Sequence, residues 1–263
     1  MVDAAPARVG FFTDTTLCIG CKACEVACKE WNDVPADGFD FLGLSYDNTG
    51  ELSADSWRHV AFVEQVVPDA SASEPGLRWL MSSDVCKHCT HAACLDVCPT
   101  GAIFRTEFDT VVVQADVCNG CGYCVAACPF GVIGQRKHDG RAWKCTMCYD
   151  RLHGGLEPAC AKACPTASIQ FGPLDELRLR ARDRVGELHE RGVSSARLYL
   201  DTDDDGVGGA GAFFLLLDEP EVYGLPPDPV AATRDLASTW RAAAASGAAL
   251  VAGVALAFMR GRR

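Results

Sequence analysis

The stretch CIGCKACEVAC, Cys18 to Cys28, sets four thiols in eleven residues, with gaps of two, two and three. Three more groups follow: Cys86, Cys89, Cys94 and Cys98; Cys118, Cys121, Cys124 and Cys128; Cys145, Cys148, Cys160 and Cys164. These account for all 16 cysteines of the 263-residue chain. The first and third groups read CxxCxxCxxxC, the second widens its middle gap to four residues, and the fourth widens it to eleven, YDRLHGGLEPA. Every group ends on a three-residue gap. Proline follows the last cysteine at Pro99, Pro129 and Pro165, whereas the first group has Lys29. The chain thus repeats one ligand motif four times.

The run CxxCxxCxxxCP is the bacterial ferredoxin signature, in which the fourth cysteine ligates the other cluster of a pair. Two-residue gaps let the backbone loop around one iron-sulfur cube and bring three thiolates to three irons. The longer gap opens a helix, and about 6 Å along its axis the fourth thiolate faces a second cube. Sixteen cysteines in groups of four predict four 4Fe-4S clusters. Zinc sites with four cysteine ligands use two CxxC pairs from separate knuckles, a pattern these groups do not follow. Disulfides fit no better, because the cysteine share lies below that of disulfide scaffolds. The opening MVDAAPARVGFF shows neither a basic start with an apolar run nor paired arginines, which predicts no export signal and thiols that begin in a reducing cytosol.

The link PTGAIFRTEFDTVVVQADV between Cys98 and Cys118 reads as a hairpin, with strands Ala102 to Thr106 and Thr110 to Gln114 and a turn at Glu107 to Asp109. It joins the second and third groups into one lobe over about residues 86–130. Groups one and four then pair in an outer lobe, entered by a strand at Val9 to Asp14 and left by one at Ser168 to Phe171. The expected fold class is α+β: two ferredoxin-like lobes, one inserted in the other, plus a C-terminal helix. Ligation is expected to cross. One cluster takes Cys18, Cys21, Cys24 and Cys164, and its neighbour Cys145, Cys148, Cys160 and Cys28. In the inserted lobe, Cys86, Cys89 and Cys94 share a cluster with Cys128, and Cys118, Cys121 and Cys124 with Cys98.

Residues 1–170 then form the four-cluster domain, 171–235 a segment of helix, strands and linker, and 236–263 an anchor candidate. Within the first, residues 29–85 read as a surface excursion with a strand at Trp57 to Val67 and a Pro/Ser-rich loop at Pro68 to Gly76. Pro173 starts a helix whose apolar face is Leu174, Leu177, Ala181, Val185 and Leu188, and Gly192 stops it. Strands are expected at Val193 to Leu200 and Ala212 to Leu217, separated by the acidic turn DTDDDG. That turn lacks the glutamate of a calcium loop, Ala212 standing at the twelfth position.

A net charge of −11 excludes the clustered basic surface that binds nucleic acid. Locally the balance reverses, since residues 118–164 carry six Lys or Arg against three Asp or Glu. Lys22, Lys87, Lys137, Lys144, Arg151 and Lys162 are placed to raise the potentials of anionic clusters, or are ordinary surface charges. No histidine is needed as a ligand, because His88 and His91 replace no cysteine. No catalytic residue is expected.

The chain ends WRAAAASGAALVAGVALAFMRGRR, where Ala242 to Met259 is an uncharged run of eighteen. That length approaches a bilayer span, with Trp240 and Arg241 before it and Arg260, Arg262 and Arg263 after. Ala245, Ala249, Gly253 and Ala257 recur every fourth residue, a small-residue face on which another membrane helix could pack. The run predicts association with the cytoplasmic (inner) membrane, the face left open.

The motif order, together with CIGCKACEVACKEWN, WKCTMCYDR and GGAGAFFLLLDEPEVYGLPPDP, resembles the iron-sulfur beta subunits of formate dehydrogenases, within the larger group that serves molybdopterin oxidoreductases. The resemblance implies four 4Fe-4S clusters carrying electrons from formate oxidation in a molybdopterin catalytic alpha subunit to a membrane cytochrome b or quinone-reactive gamma subunit. It also implies that the outer lobe faces the catalytic subunit and the inserted lobe the membrane acceptor. Nitrate reductase relatives carry tryptophan in the third motif where this chain has Cys121, so four full cubes are expected. Subunits serving dimethyl sulfoxide, polysulfide or thiosulfate reductases share the motifs, and a freestanding polyferredoxin is the contrasting reading.

Overall fold

The structure is a computed structural model that describes residues 7–38, 43, 46–67 and 76–260. The loop expected at Pro68 to Gly76 lies, but for its last residue, outside the described residues. So do residues 1–6 of the opening stretch and the terminal Arg262 and Arg263.

In chain order the elements are β1 (Val9–Asp14), α1 (Ala23–Asn32), β2 (Arg58–Val67), β3 (Gly76–Val85), α2 (Ala93–Asp96), β4 (Ile103–Arg105) and β5 (Val111–Val113). Then come α3 (Tyr123–Ala127), β6 (Gly134–Gln135), β7 (Ala142–Trp143), α4 (Tyr149–His153), α5 (Ala159–Lys162) and β8 (Ile169–Pro173). The chain finishes with α6 (Leu174–Glu190), β9 (Arg197–Tyr199), β10 (Ala212–Leu216) and α7 (Leu236–Arg260). Helix and strand are mixed throughout.

One four-stranded sheet, in the order β8-β1-β10-β9, organises the chain. Phe11 of β1 stands opposite Phe171 of β8 in antiparallel register and opposite Ala212 of β10 in parallel register. Successive side chains of a strand point to opposite faces. Phe11, Ile169 and Ala212 therefore face the cysteine-bearing region, while Phe12 and Phe213, stacked at 5.2 Å, face α6. The helix covers that second face with Leu174, Leu177, Ala181 and Leu188, all buried, with Val185 at their edge. Acidic Asp175 and Glu176 occupy its first turn, where the helix dipole favours them. Arg184 ties it to the sheet through Asp14 at 3.0 Å.

The strand expected at Val193 to Leu200 shrinks to Arg197–Tyr199. The residues before it close the helix instead: Gly192 adopts φ +86°, the Val193 amide donates to the Leu188 carbonyl, and the Ala196 amide donates to the Val193 carbonyl. In the acidic turn, the Asp205 carboxylate accepts from the amides of Val207 and Gly209, and Asp203 pairs with Arg178 at 3.0 Å.

Three two-stranded ribbons complete the fold. The strand read at Trp57 to Val67 pairs along ten residues with β3, whose sequence GLRWLMSSDV carries no strong alternation and so gives no strand signal of its own. Its base is buried, at Val60, Ser83 and Val85, and its distal part is exposed, at Val66 and Leu77. The hairpin is therefore half core and half excursion. Between the second and third motifs, β4 and β5 pair as Ile103↔Val113 to Arg105↔Val111, and Thr106 and Thr110 close the turn through their hydroxyls at 2.8 Å. The third ribbon, β6 with β7, is too short to show in the sequence pattern. Helix α7 stands apart: its most apolar stretch of eighteen residues averages a hydropathy of 2.0 and none of its residues is buried, so it is long and apolar enough to cross a membrane.

Candidate iron-sulfur sites

Each motif starts with the same backbone turn. The residue just before the second cysteine adopts a left-handed conformation in all four: Gly20 (φ +67°), His88 (φ +46°), Gly120 (φ +74°) and Met147 (φ +56°). This turn swings successive thiols toward one centre. At Gly120 it also permits close approach, because an added Cβ would sit 2.6 Å from the Gly140 carbonyl oxygen.

A helix follows in every case and carries the third cysteine: Cys24 on α1, Cys94 on α2, Cys124 on α3 and Cys160 on α5. Helices α2, α3 and α5 run only four, five and four residues. The prolines after Cys98, Cys128 and Cys164 forbid continuation, since proline disfavours helical conformation in the residue before it. Helix α1 has Lys29 at that position and runs ten residues. Lys29 Nζ then donates to the carbonyls of Pro35 and Asp55 and pairs with Asp37, pinning the start of the insertion.

The structure draws the sixteen cysteines into mixed sets. Cys18, Cys21, Cys24 and Cys164 line one cavity of about 300 Å³. Cys86, Cys89, Cys94 and Cys128 line another of about 340 Å³, and Cys98, Cys118, Cys121 and Cys124 a third of about 290 Å³. Cys28, Cys145, Cys148 and Cys160 form the remaining set. Asn32 Nδ2 lies 3.8 Å from Cys28 Sγ and 3.7 Å from Cys148 Sγ, and α1 packs along α5. Backbone amides point at sulfur, among them Met147 N at 3.2 Å from Cys145 Sγ and Ala142 N at 3.4 Å from Cys118 Sγ.

Burial makes several of these thiols poor acids, and for some the field of neighbouring thiols adds to it. Burial pushes the Cys145 thiol up to about 12, reinforced by Cys86, Cys160 and Cys148. Cys24 and Cys124 rise to about 11 and Cys94 to about 12, burial again being the largest cause. Bound iron supplies the positive charge that lets such thiols ionise together. All-sulfur donor sets of four cysteines around apolar linings fit 4Fe-4S clusters. Among the described residues no three Cys, His, Asp or Glu side chains converge on a single ion, as a mononuclear zinc site requires.

Of the six cations named from the sequence, two are inside. Lys87 is wholly buried and pairs with Asp84, and Lys144 is buried with Nζ donating to the carbonyls of Val111 and Cys145. Lys137 and Lys162 are exposed, Arg151 stacks on Trp31 at 4.2 Å, and Lys22 is shared by Asp47 and Glu25. A buried cation absent from that group is Arg58, 2% exposed at the base of the long hairpin. A charge opening an apolar strand reads as a solvent-facing end, so the sequence carried no signal for it. His88 holds the backbone in place, its Nδ1 accepting from the Val111 amide at 3.1 Å.

Two family profiles, both described as a 4Fe-4S dicluster domain, match residues 17–102 and 77–174. The chain is thus a protein of two dicluster domains. It is 44% identical over 221 residues to a formate dehydrogenase iron-sulfur subunit of Haemophilus influenzae, covering 82% of this chain and 68% of the relative. To the iron-sulfur subunit of the nitrate-inducible formate dehydrogenase of Escherichia coli (strain K12) it is 42% identical over 241 residues, 90% of this chain and 78% of the relative. The B subunit of the anaerobic dimethyl sulfoxide reductase of the same organism matches at 37% over 176 residues, 67% of this chain and 78% of the relative. The chain belongs to the family of formate dehydrogenase iron-sulfur subunits.

Proposed function

We propose that the chain is the electron-transfer subunit of a formate dehydrogenase complex, without a catalytic centre of its own. It links a molybdenum or tungsten pterin subunit to a membrane cytochrome b or quinone-reactive subunit. When bound, four 4Fe-4S clusters supply the one-electron carriers. Their ligands are the crossed sets: Cys18, Cys21, Cys24 with Cys164; Cys145, Cys148, Cys160 with Cys28; Cys86, Cys89, Cys94 with Cys128; Cys118, Cys121, Cys124 with Cys98.

The observation that carries this reading is the mixed lining of the cavities. Each of the three holds three cysteines of one motif and the last cysteine of another. One lobe, about residues 86–130, is nested in the outer lobe of a 1–170 domain. Support comes from β1 pairing with β8 across the first and fourth motifs, while β4 and β5 bridge the second and third. Residues 171–235 form the supporting segment. Residues 236–263 attach the chain to the cytoplasmic membrane through α7, none of whose residues is buried.

Purification from detergent-solubilised membranes tests the reading. The chain co-elutes with a pterin subunit and carries about sixteen irons and sixteen sulfides, four of each per cube. In the same preparation, Cys28→Ser changes the EPR signal of the cluster held by Cys145, Cys148 and Cys160 and leaves that of Cys18, Cys21 and Cys24 intact. A change confined to the first-motif signal refutes crossed ligation, and a chain that purifies alone from the soluble fraction refutes the complex.

A further inference from the structure

The guanidinium of Arg58 lies between two of the cysteine sets. Its Nη1 donates to the carbonyl and hydroxyl oxygens of Ser83, at 3.3 and 3.1 Å, and Ser83 Oγ is 3.2 Å from Cys24 Sγ. On its other side it caps the ring of Phe11 at 4.9 Å. The thiols that feel its charge come from both outer sets: Cys24 from one, and Cys28, Cys145 and Cys160 from the other.

Two features of this cation are anomalous by ordinary packing rules. It is 2% exposed, and its Nε and Nη2 find no oxygen or nitrogen acceptor among the described residues. Its oxygen acceptors there are the two Ser83 oxygens, with no carboxylate, and the Cys160 thiol lies within hydrogen-bonding reach of its side chain. A buried ion without a counter-charge is strongly destabilising, so the fold would select against this residue unless an anion stood beside it. Lys87 differs, since Asp84 neutralises it. Thiolate-ligated clusters are anionic, and the two idle donors are what they would engage.

We infer that Arg58 is a fixed positive charge shared by the two outer-lobe clusters, a positioning residue that raises the reduction potential of both and offsets their mutual repulsion. This rests on the crossed cysteine sets proposed above. The base of β2 carries the arginine and β3 runs directly into Cys86, so the hairpin builds the relay as well as decorating it. A cation next to a cluster favours its reduced, more negative form. Because arginine does not lose its proton, the effect is independent of pH across the working range.

Redox titration followed by EPR on the detergent-solubilised complex tests this. Arg58→Gln shifts the reduction equilibrium of both outer clusters about tenfold toward the oxidised form, which for one electron is about 59 mV. The two inner clusters keep their potentials, and Arg58→Lys, which retains the charge, restores most of the shift. Unmoved potentials, an equal fall in all four, or a lysine variant as low as the glutamine one overturns the inference. Should Arg58→Gln fail to retain iron, the lysine variant decides. Full iron with native outer potentials supports the charge role, and loss of iron there too assigns the residue to packing. Wild-type protein lacking the four signals would instead refute the cluster reading itself.

Discussion

Two buried cores lie on opposite faces of one sheet and are made of different material. The core around Phe12 and Phe213 is ordinary: Leu174, Leu177, Ala181 and Leu215 interdigitate with aromatic rings and close-pack without help. The core around Phe11 is studded with Cys24, Cys28, Cys86, Cys124, Cys145 and Cys160 and otherwise holds many small side chains, such as Ala92, Ala142 and Ala161. Its helices are one turn long apart from α1, and cavities of about 300 Å³ lie within it. Apolar burial holds the first core together; the second is shaped for an inorganic filling. The strand β1 serves both, alternate residues facing each side.

The largest effect should come from stripping the filling. Chelation with an oxidant removes iron and with it the free energy that metal binding contributes to folding. Hydrogen exchange at α1, α3 and α5 should accelerate about a hundredfold, equivalent to about 2.7 kcal/mol of local stability, while α6 and β10 keep their protection. Uniform loss of protection would show that the two cores are one cooperative unit. Unchanged exchange throughout would show that the cysteine side packs without metal.

The sequence makes the cysteine side legible and leaves much of the sheet hidden, and the reason is physical. Ligand chemistry is local: four thiols within about twenty residues or fewer restrict what can bind, so the motifs announce themselves before any strand is placed. The short β4–β5 hairpin and the helix from Leu174 are readable for the same reason, because their partners are near in sequence. Pairing across the chain is not. The run AFFLL of β10 declares burial but not its neighbour, and its parallel seat beside β1 depends on residues far back in the chain, Phe11 facing Ala212. Strand β3 escapes notice because Ser82 and Ser83, at its base, are polar residues buried next to one another, so no alternation marks the run. Lys29, odd as spacing, makes sense as geometry: without proline, α1 runs on and its lysine fastens the insertion.

A smaller but sharper blow falls on the ordinary core. Phe213 is fully buried on the central strand, stacked on Phe12. Phe213→Ala removes a ring from close packing and should cost about 3 to 5 kcal/mol in chemical denaturation of the iron-loaded protein. Iron and sulfide per folded chain should stay at the wild-type value, because Cys89 alone of the cysteines packs against that core and none is buried within it. Iron lost in step with stability would mean that the sheet transmits packing defects through β1 into the cysteine side, and the division drawn between the cores would fail.

The smallest effect on either core should follow removal of α7. Thr233 Oγ1 bonded to the Asp96 carboxylate at 2.5 Å, with Arg234 donating to the Asp205 carbonyl, is where the chain last grips the body. Beyond it Trp240, Leu250 and Phe258 are 68%, 71% and 73% exposed. Side chains that bury nothing contribute nothing to folding in water, and a row of exposed apolar residues on a helix of this length finds its stabilisation in lipid or against another membrane helix. A chain ending at Asp235 should therefore keep its denaturation midpoint within about 0.5 kcal/mol of the full protein, the range of surface changes. It should also move from the membrane fraction to the soluble one. A loss of about 2 kcal/mol would place α7 against one of the cores instead. Membrane retention of the shortened chain would shift the anchor to the exposed end of the β2–β3 hairpin, where Val66, Leu77 and Trp79 form the next apolar surface.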